Sequence, residues 1–150
     1  MINNNVFPAE LLKPEYSVLC LFAAQYIGEH DVYFVRKAGC TDVLLIDNNE
    51  QKLNATCVMH GYKGKCCDAF DFILMAAGTG MKWDVVITDQ WSDQDVRINI
   101  GFFDQLKKIA RKHLILGYCK RWFNEQMIQP GRYIHRSDHL GGVYWRIIDL

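Results

Sequence analysis

The sequence predicts an α/β fold: an open, doubly wound, mostly parallel sheet with helices on both faces and a C-terminal antiparallel hairpin. Three observations predict it. Short apolar runs rich in strand formers, YSVLCLFA, TDVLLID, WDVVIT and HLILGYC, alternate along the whole chain with segments of helical periodicity. The runs are continuous and not alternating, as in strands covered on both faces. The last two extended segments follow one another with no helix between them, which closes the sheet with an antiparallel pair. With 150 residues and no linker or repeat, the chain reads as a single domain over 1–150.

Tyr16–Ala23 is the first strand, and the helix after it starts near Gly28, carries Val32, Val35 and Ala38, and stops at Gly39. Thr41–Asp47 is the second strand. Asn48 or Asn49 caps the next helix, which has Leu53 and Cys57 inside and Gly61 at its end. Lys63–Cys67 is a short extended piece. Asp68–Ala77 reads as a helix with Ile73, Leu74 and Ala77 on one face, broken by Gly78-Thr79-Gly80. Trp83–Thr88 is the fourth strand, and Ser92 or Asp93 caps a helix running to about Ala110. His113–Cys119 is the fifth strand. Pro130-Gly131 marks a turn, and Arg132–Arg136 and Val143–Leu150 close the sheet around Asp138–Gly142.

Composition narrows the function classes. Half of the residues are hydrophobic and 23% are charged, which excludes disorder, collagen and coiled coil. The longest near-apolar run, Tyr16–Ala24, is too short for a bilayer, and the N-terminus lacks the basic and apolar regions of a secretory signal. We therefore expect a cytoplasmic protein with no membrane contact. The 17 basic and 17 acidic residues cancel, but unevenly: residues 1–100 hold 8 and 13, and residues 101–150 hold 9 and 4. A basic half suits either a nucleic-acid surface or an ordinary solvated face. The 6 cysteines form no C-x-x-C, so reduced, mostly buried thiols are expected and not a disulfide framework or zinc site. His135 and His139 flank Asp138 in a hairpin, where surface histidines are expected and no metal.

In a doubly wound sheet the ligand crevice lies at the carboxyl ends of the strands. After the first strand stand Phe22, Ala23 and Ala24, with Gly28 at the start of the helix. No G-x-G-x-x-G or G-x-x-x-x-G-K-[ST] occurs, which weakens dinucleotide and P-loop readings. Asp47 ends the second strand, where a carboxylate can accept from both hydroxyls of a ribose or, alternatively, cap a loop. Asp68-Ala69-Phe70 offers either an acceptor for an exocyclic amino group or a helix cap with a core phenylalanine. Asp89, ending the fourth strand, and Trp91 beside it can orient a substrate amino group and stack on a ring.

With these motifs in order, the chain resembles the class I, Rossmann-like, S-adenosylmethionine-dependent methyltransferases over nearly its whole length. VLCLFAAQYIGEHDVYFVRKAG looks like the first family motif, VLLIDNN like the second strand with its ribose acid, CCDAFDF like the adenine segment, and WDVVITDQW like the acceptor-side motif. The resemblance implies seven strands, the sixth and seventh antiparallel, and S-adenosylmethionine as cofactor. It implies cofactor contacts at Phe22, Ala23, Ala24, Gly28, Asp47, Asn48, Asp68 and Ala69, and catalytic-side residues Asp89 and Trp91. The first motif departs from the family, which has an acid where Cys20 stands and glycines around Phe22, Ala24 and Tyr26. The fourth-strand motif keeps Asp89 but lacks the Asp-Pro-Pro-aromatic of base amino methyltransferases.

The leading expectation is a small methyltransferase acting on a nucleic acid or a small molecule. Lys120, Arg121 and Trp122, which follow the fifth strand, are its candidate substrate contacts. A non-catalytic methyltransferase-like binding or scaffold subunit, working with a protein partner, is the alternative. A nucleotide binder of another kind is the third reading, disfavoured by the terminal hairpin.

Overall fold

The computed structural model describes residues 7–24, 28–91, 100–119, 132–136 and 143–150. Its strands are β1 (Val18–Leu21), β2 (Val43–Asp47), β3 (Lys63–Cys66), β4 (Trp83–Trp91), β5 (Ala110–Cys119), β6 (Arg132–Arg136) and β7 (Val143–Asp149). Its α-helices are α1 (Gly28–Lys37), α2 (Glu50–His60), α3 (Ala69–Thr79) and α4 (Ile100–Ile109). The strands form one seven-stranded sheet in the order β3-β2-β1-β4-β5-β7-β6. β1 to β5 are mutually parallel, and β7 runs antiparallel to both β5 and β6. The expected doubly wound sheet with its terminal hairpin is the observed one.

All four residues of β1 are buried, because both faces of the sheet are covered. Val18 and Cys20 join Val32 and Val35 of α1, Leu53 of α2, and Val85, Ile87, Ile115 and Trp145 in one core. Leu19 and Leu21 point the other way, to Phe72, Ile73 and Ala76 of α3 and Leu106 and Ile109 of α4. The two-residue period of the strand thus divides one apolar run between two cores.

The helix ends follow the local chemistry. Asn49, not Asn48, caps α2: its side chain accepts from Lys52 N–H, and Gly61 closes the helix at φ 73°. Asp68 caps α3 by accepting from Asp71 N–H, and Gly80 closes it at φ 75°. Gly78, expected to break this helix, lies inside it, since a glycine away from a left-handed position lowers helix stability without ending the helix. The Thr79 hydroxyl donates to the Met75 carbonyl at 2.8 Å, within the last turn.

Several strand limits differ from expectation. β1 stops at Leu21 because Phe22 takes a left-handed φ of 60° and turns the chain. β2 starts at Val43, two residues late. β4 continues through Asp89 to Trp91, with a register shift between Thr88 and Trp91. β5 begins at Ala110, directly after α4, because Ala110 pairs with Trp83. The polar ARKH stretch reads as a helix end in isolation, and sheet pairing overrides that preference. The expected caps at 92–93 and the turns at 130–131 and 138–142 lie outside the described residues.

No helix among the described residues is long and apolar enough to cross a membrane.

Candidate functional site at the carboxyl edge

The carboxyl ends of β1, β2 and β3 meet through backbone hydrogen bonds. Ala23 N–H donates to Ile46 O at 3.0 Å, and Cys67 N–H donates to Asp47 O at 3.0 Å. The Asp47 carboxylate lies between these ends. Its Oδ2 accepts from Ala24 N–H at 3.0 Å and its Oδ1 from Asn49 N–H at 2.9 Å. Asp47 is 1% exposed, although it sits at the edge where a ribose was expected. One carboxylate therefore ties the turn after β1 to the entry of α2.

Phe22 occupies the place where the resemblance has its first glycine. It is the one residue other than glycine with positive φ among the described residues. A left-handed residue carrying a Cβ costs about 1–2 kcal/mol. The half-buried ring turns toward the core under α3 and α4, meeting Phe70 edge-to-face at 5.8 Å. Phe70 in turn meets Phe102 of α4 at 4.8 Å. The first turn of α3 and the upper part of α4 thus supply aromatic neighbours to the end of β1. The following alanines are buried, Ala23 at 1% and Ala24 at 2%.

On the β2 and β3 side the edge is open. Asn48 is exposed, and its carbonyl accepts from the Cys66 thiol at 3.6 Å. Asp68 is exposed as well. Its Oδ1 caps α3 through Asp71 N–H at 3.0 Å, and its other oxygen has no hydrogen-bond partner among the described residues. Ala69 beside it is buried against the α3 core. Burial pushes the Cys67 thiol above the usual cysteine range, against the pull of Lys65.

The structure thus brings Phe22, Ala23, Ala24, Asp47, Asn48, Asp68 and Ala69 to one edge. Gly28 begins α1. Asp89 and Trp91 fall inside β4, with side chains outside the described part of the structure, and Lys120, Arg121 and Trp122 lie outside the described residues. Sequence reasoning did not anticipate the bond between Ala24 and Asp47, which spans 23 positions. Among the described residues no three His, Cys, Asp or Glu side chains could hold a metal ion.

With this edge defined, the likeness to solved structures is consistent. A protein from Streptococcus mutans assigned as a S-adenosylmethionine-dependent methyltransferase superposes with a TM-score of 0.66 at 14% identity, covering 94% of this chain and 47% of that one. A protein assigned as a methyltransferase and solved with S-adenosylhomocysteine gives 0.65 at 15% identity, covering 90% and 45%. A protein from Escherichia coli assigned as a methyltransferase gives 0.61 at 11% identity, covering 99% and 90%. The chain thus spans just under half of the first two proteins and nearly all of the third. No protein-family model matches the sequence, and no curated protein matches it. At these identities the likeness defines the fold, which is that of the class I methyltransferases.

Proposed function

We propose that this chain is a small S-adenosylmethionine-dependent methyltransferase acting on a nucleic acid or a small molecule, with residues 1–150 as one domain working in the cytoplasm. The observation that carries the proposal is the strand order β3-β2-β1-β4-β5-β7-β6 with β7 reversed. It is the arrangement that the resemblance to the methyltransferase family implies, whose terminal antiparallel pair sets it apart from dinucleotide dehydrogenases.

The residues at the edge fit the adenosine end of the cofactor. The open oxygen of Asp68 suits an exocyclic amino group and the exposed Asn48 a hydroxyl, while Ala69, which the resemblance puts beside the ring, is buried against the α3 core. The β1 turn fits less well. A glycine turn lets a ligand lie against the backbone, and here Phe22, Ala23 and Ala24 stand in that turn with their side chains packed inward. When bound, S-adenosylmethionine supplies an electrophilic methyl group. The chain's own part is to position the acceptor, with a base needed only where the acceptor loses a proton. We assign acceptor orientation to Asp89 and stacking to Trp91. Lys120 and Arg121 meet phosphates, and Trp122 a base, where the acceptor is a nucleic acid.

A specific observation favours a second reading, a non-catalytic methyltransferase-like subunit serving a protein partner: the family's ribose acid is buried here and its glycines are replaced. Calorimetric titration of the full chain with S-adenosylmethionine and S-adenosylhomocysteine tests both. Saturable binding of both at one site is expected. Binding of neither overturns the first reading, and binding without methyl transfer to any nucleic acid or small-molecule pool favours the second.

A further inference from the structure

We propose that Asp47 is a positioning residue that holds the turn after β1, and that the exposed Asn48 beside it makes the polar contact to the ribose of an adenosyl ligand. The inference rests on the adenosyl reading above and departs from the division of labour that the resemblance implies.

The argument starts with access. To accept from two vicinal hydroxyls, a carboxylate must present both oxygens to the crevice. Asp47 is 1% exposed, and each oxygen already accepts a backbone N–H, from Ala24 at 3.0 Å and from Asn49 at 2.9 Å. Bonds from backbone amides to a carboxylate are charge-assisted, and Ala24 is itself buried, so breaking its bond strands a donor away from water. Each oxygen keeps a second lone pair, but at 1% exposure a ribose hydroxyl reaches neither unless the turn that Ala24 anchors moves. The main chain of Asp47 is held too, since its carbonyl accepts from Cys67 N–H.

Asn48 has the opposite properties. Its side chain is exposed and has no hydrogen-bond partner among the described residues. Its backbone is nonetheless fixed on both sides, by the Cys66 thiol on its carbonyl and by the Asp47–Asn49 bond across it. It also lies between the β1 turn and Asp68, where a ribose joins an adenine to the rest of the ligand. Its amide offers an acceptor to a hydroxyl hydrogen and two donors to hydroxyl oxygens. The contact is neutral, in contrast to the acidic contact that the resemblance implies.

The test compares adenosine with 2′,3′-dideoxyadenosine, which keeps the base and lacks both hydroxyls. Affinities are measured by calorimetry on the full chain, and melting temperature is recorded for every variant. The parent should prefer adenosine. Asn48→Ala should weaken adenosine by about three- to tenfold, the range of one neutral hydrogen bond, erase the preference and leave the melting temperature unchanged. Asn48→Asp, which keeps an acceptor, should retain the preference. Asp47→Asn should lower the melting temperature yet keep the preference; should it fail to fold, the Asn48 pair still decides. The proposal is overturned if Asn48→Ala keeps the preference, or if Asp47→Asn erases it without loss of stability. A parent that binds adenosine without preferring it overturns this inference alone. One that binds no adenosyl compound overturns the methyltransferase reading with it.

Discussion

Phe22 allows a prediction whose sign runs against ordinary experience. In most positions an alanine gives a more stable protein than a glycine, by about 0.4–1 kcal/mol, because glycine leaves a freer unfolded chain. At Phe22 the backbone sits at φ 60°. There any residue with a Cβ costs about 1–2 kcal/mol, and glycine does not. Phe22→Ala keeps that strain and loses the ring. Removing a fully buried phenylalanine costs about 3–5 kcal/mol, so a half-buried one packed on Phe70 should cost about half of that. Phe22→Gly loses the same ring but sheds the strain. The two terms that distinguish the variants leave glycine ahead by about 0.8 kcal/mol, a gap in melting temperature of roughly 2–3 °C for a domain of this size. Both variants should be less stable than the parent. Urea and thermal unfolding of the three proteins under the same buffer measure this directly. If Phe22→Ala is as stable as Phe22→Gly or more so, the left-handed turn after β1 is wrong, and with it the account of why β1 ends at Leu21.

Other expectations follow from single contacts. A Cβ on Gly64 would lie 2.5 Å from Cys57 Sγ, so Gly64→Ala should cost about 1–3 kcal/mol, and adding Cys57→Ala should recover part of it; no recovery would show that β3 packs differently. At Gly61, where φ is 73° and a Cβ would meet nothing within 4 Å, alanine should cost only the left-handed strain, about 1 kcal/mol. Burial, reinforced by Cys40 and Cys20 and opposed by Arg36, pushes the Tyr62 hydroxyl up to about 12, and that hydroxyl donates to Cys40 O at 2.7 Å. Since the folded group holds its proton longer than the unfolded one, its contribution is complete below about pH 10 and is lost as pH rises toward 12. Tyr62→Phe should therefore flatten the fall in stability over that window, and an unchanged slope would refute the assignment. Among the described residues Cys40, Cys57, Cys66 and Cys67 are free thiols, so a reductant should leave the melting temperature unaltered, and a clear drop would reveal a disulfide.

Much of the fold was legible in the chain, for a local reason. Apolar runs such as VLLID, the capping pair Asn49 and Asp68, and the left-handed stops Gly61 and Gly80 act within a few residues of themselves. Their order along the chain is enough to specify alternating strands and helices and a closing hairpin. Where a boundary depended on a distant partner, the chain alone misled. Ala110 is a strand residue because Trp83, on another strand, lies opposite it.

The site divides in the same way. The sequence by itself determined which residues arrive at the carboxyl edge, because a parallel strand followed by a helix must deliver its last residues there: Phe22 to Ala24, Asp47 and Asn48, Asp68 and Ala69. Only the tertiary structure decided what each one does on arrival. Asp47 and Asn48 are neighbours of similar size and polarity. One is buried with both carboxylate oxygens on backbone amides, and the other is exposed. That difference depends on where Ala24, 23 positions away, places its N–H once β1 and β2 have paired. A hydrogen bond between segments so far apart forms only once their strands have paired in register, which is what brings Ala24 beside Asp47.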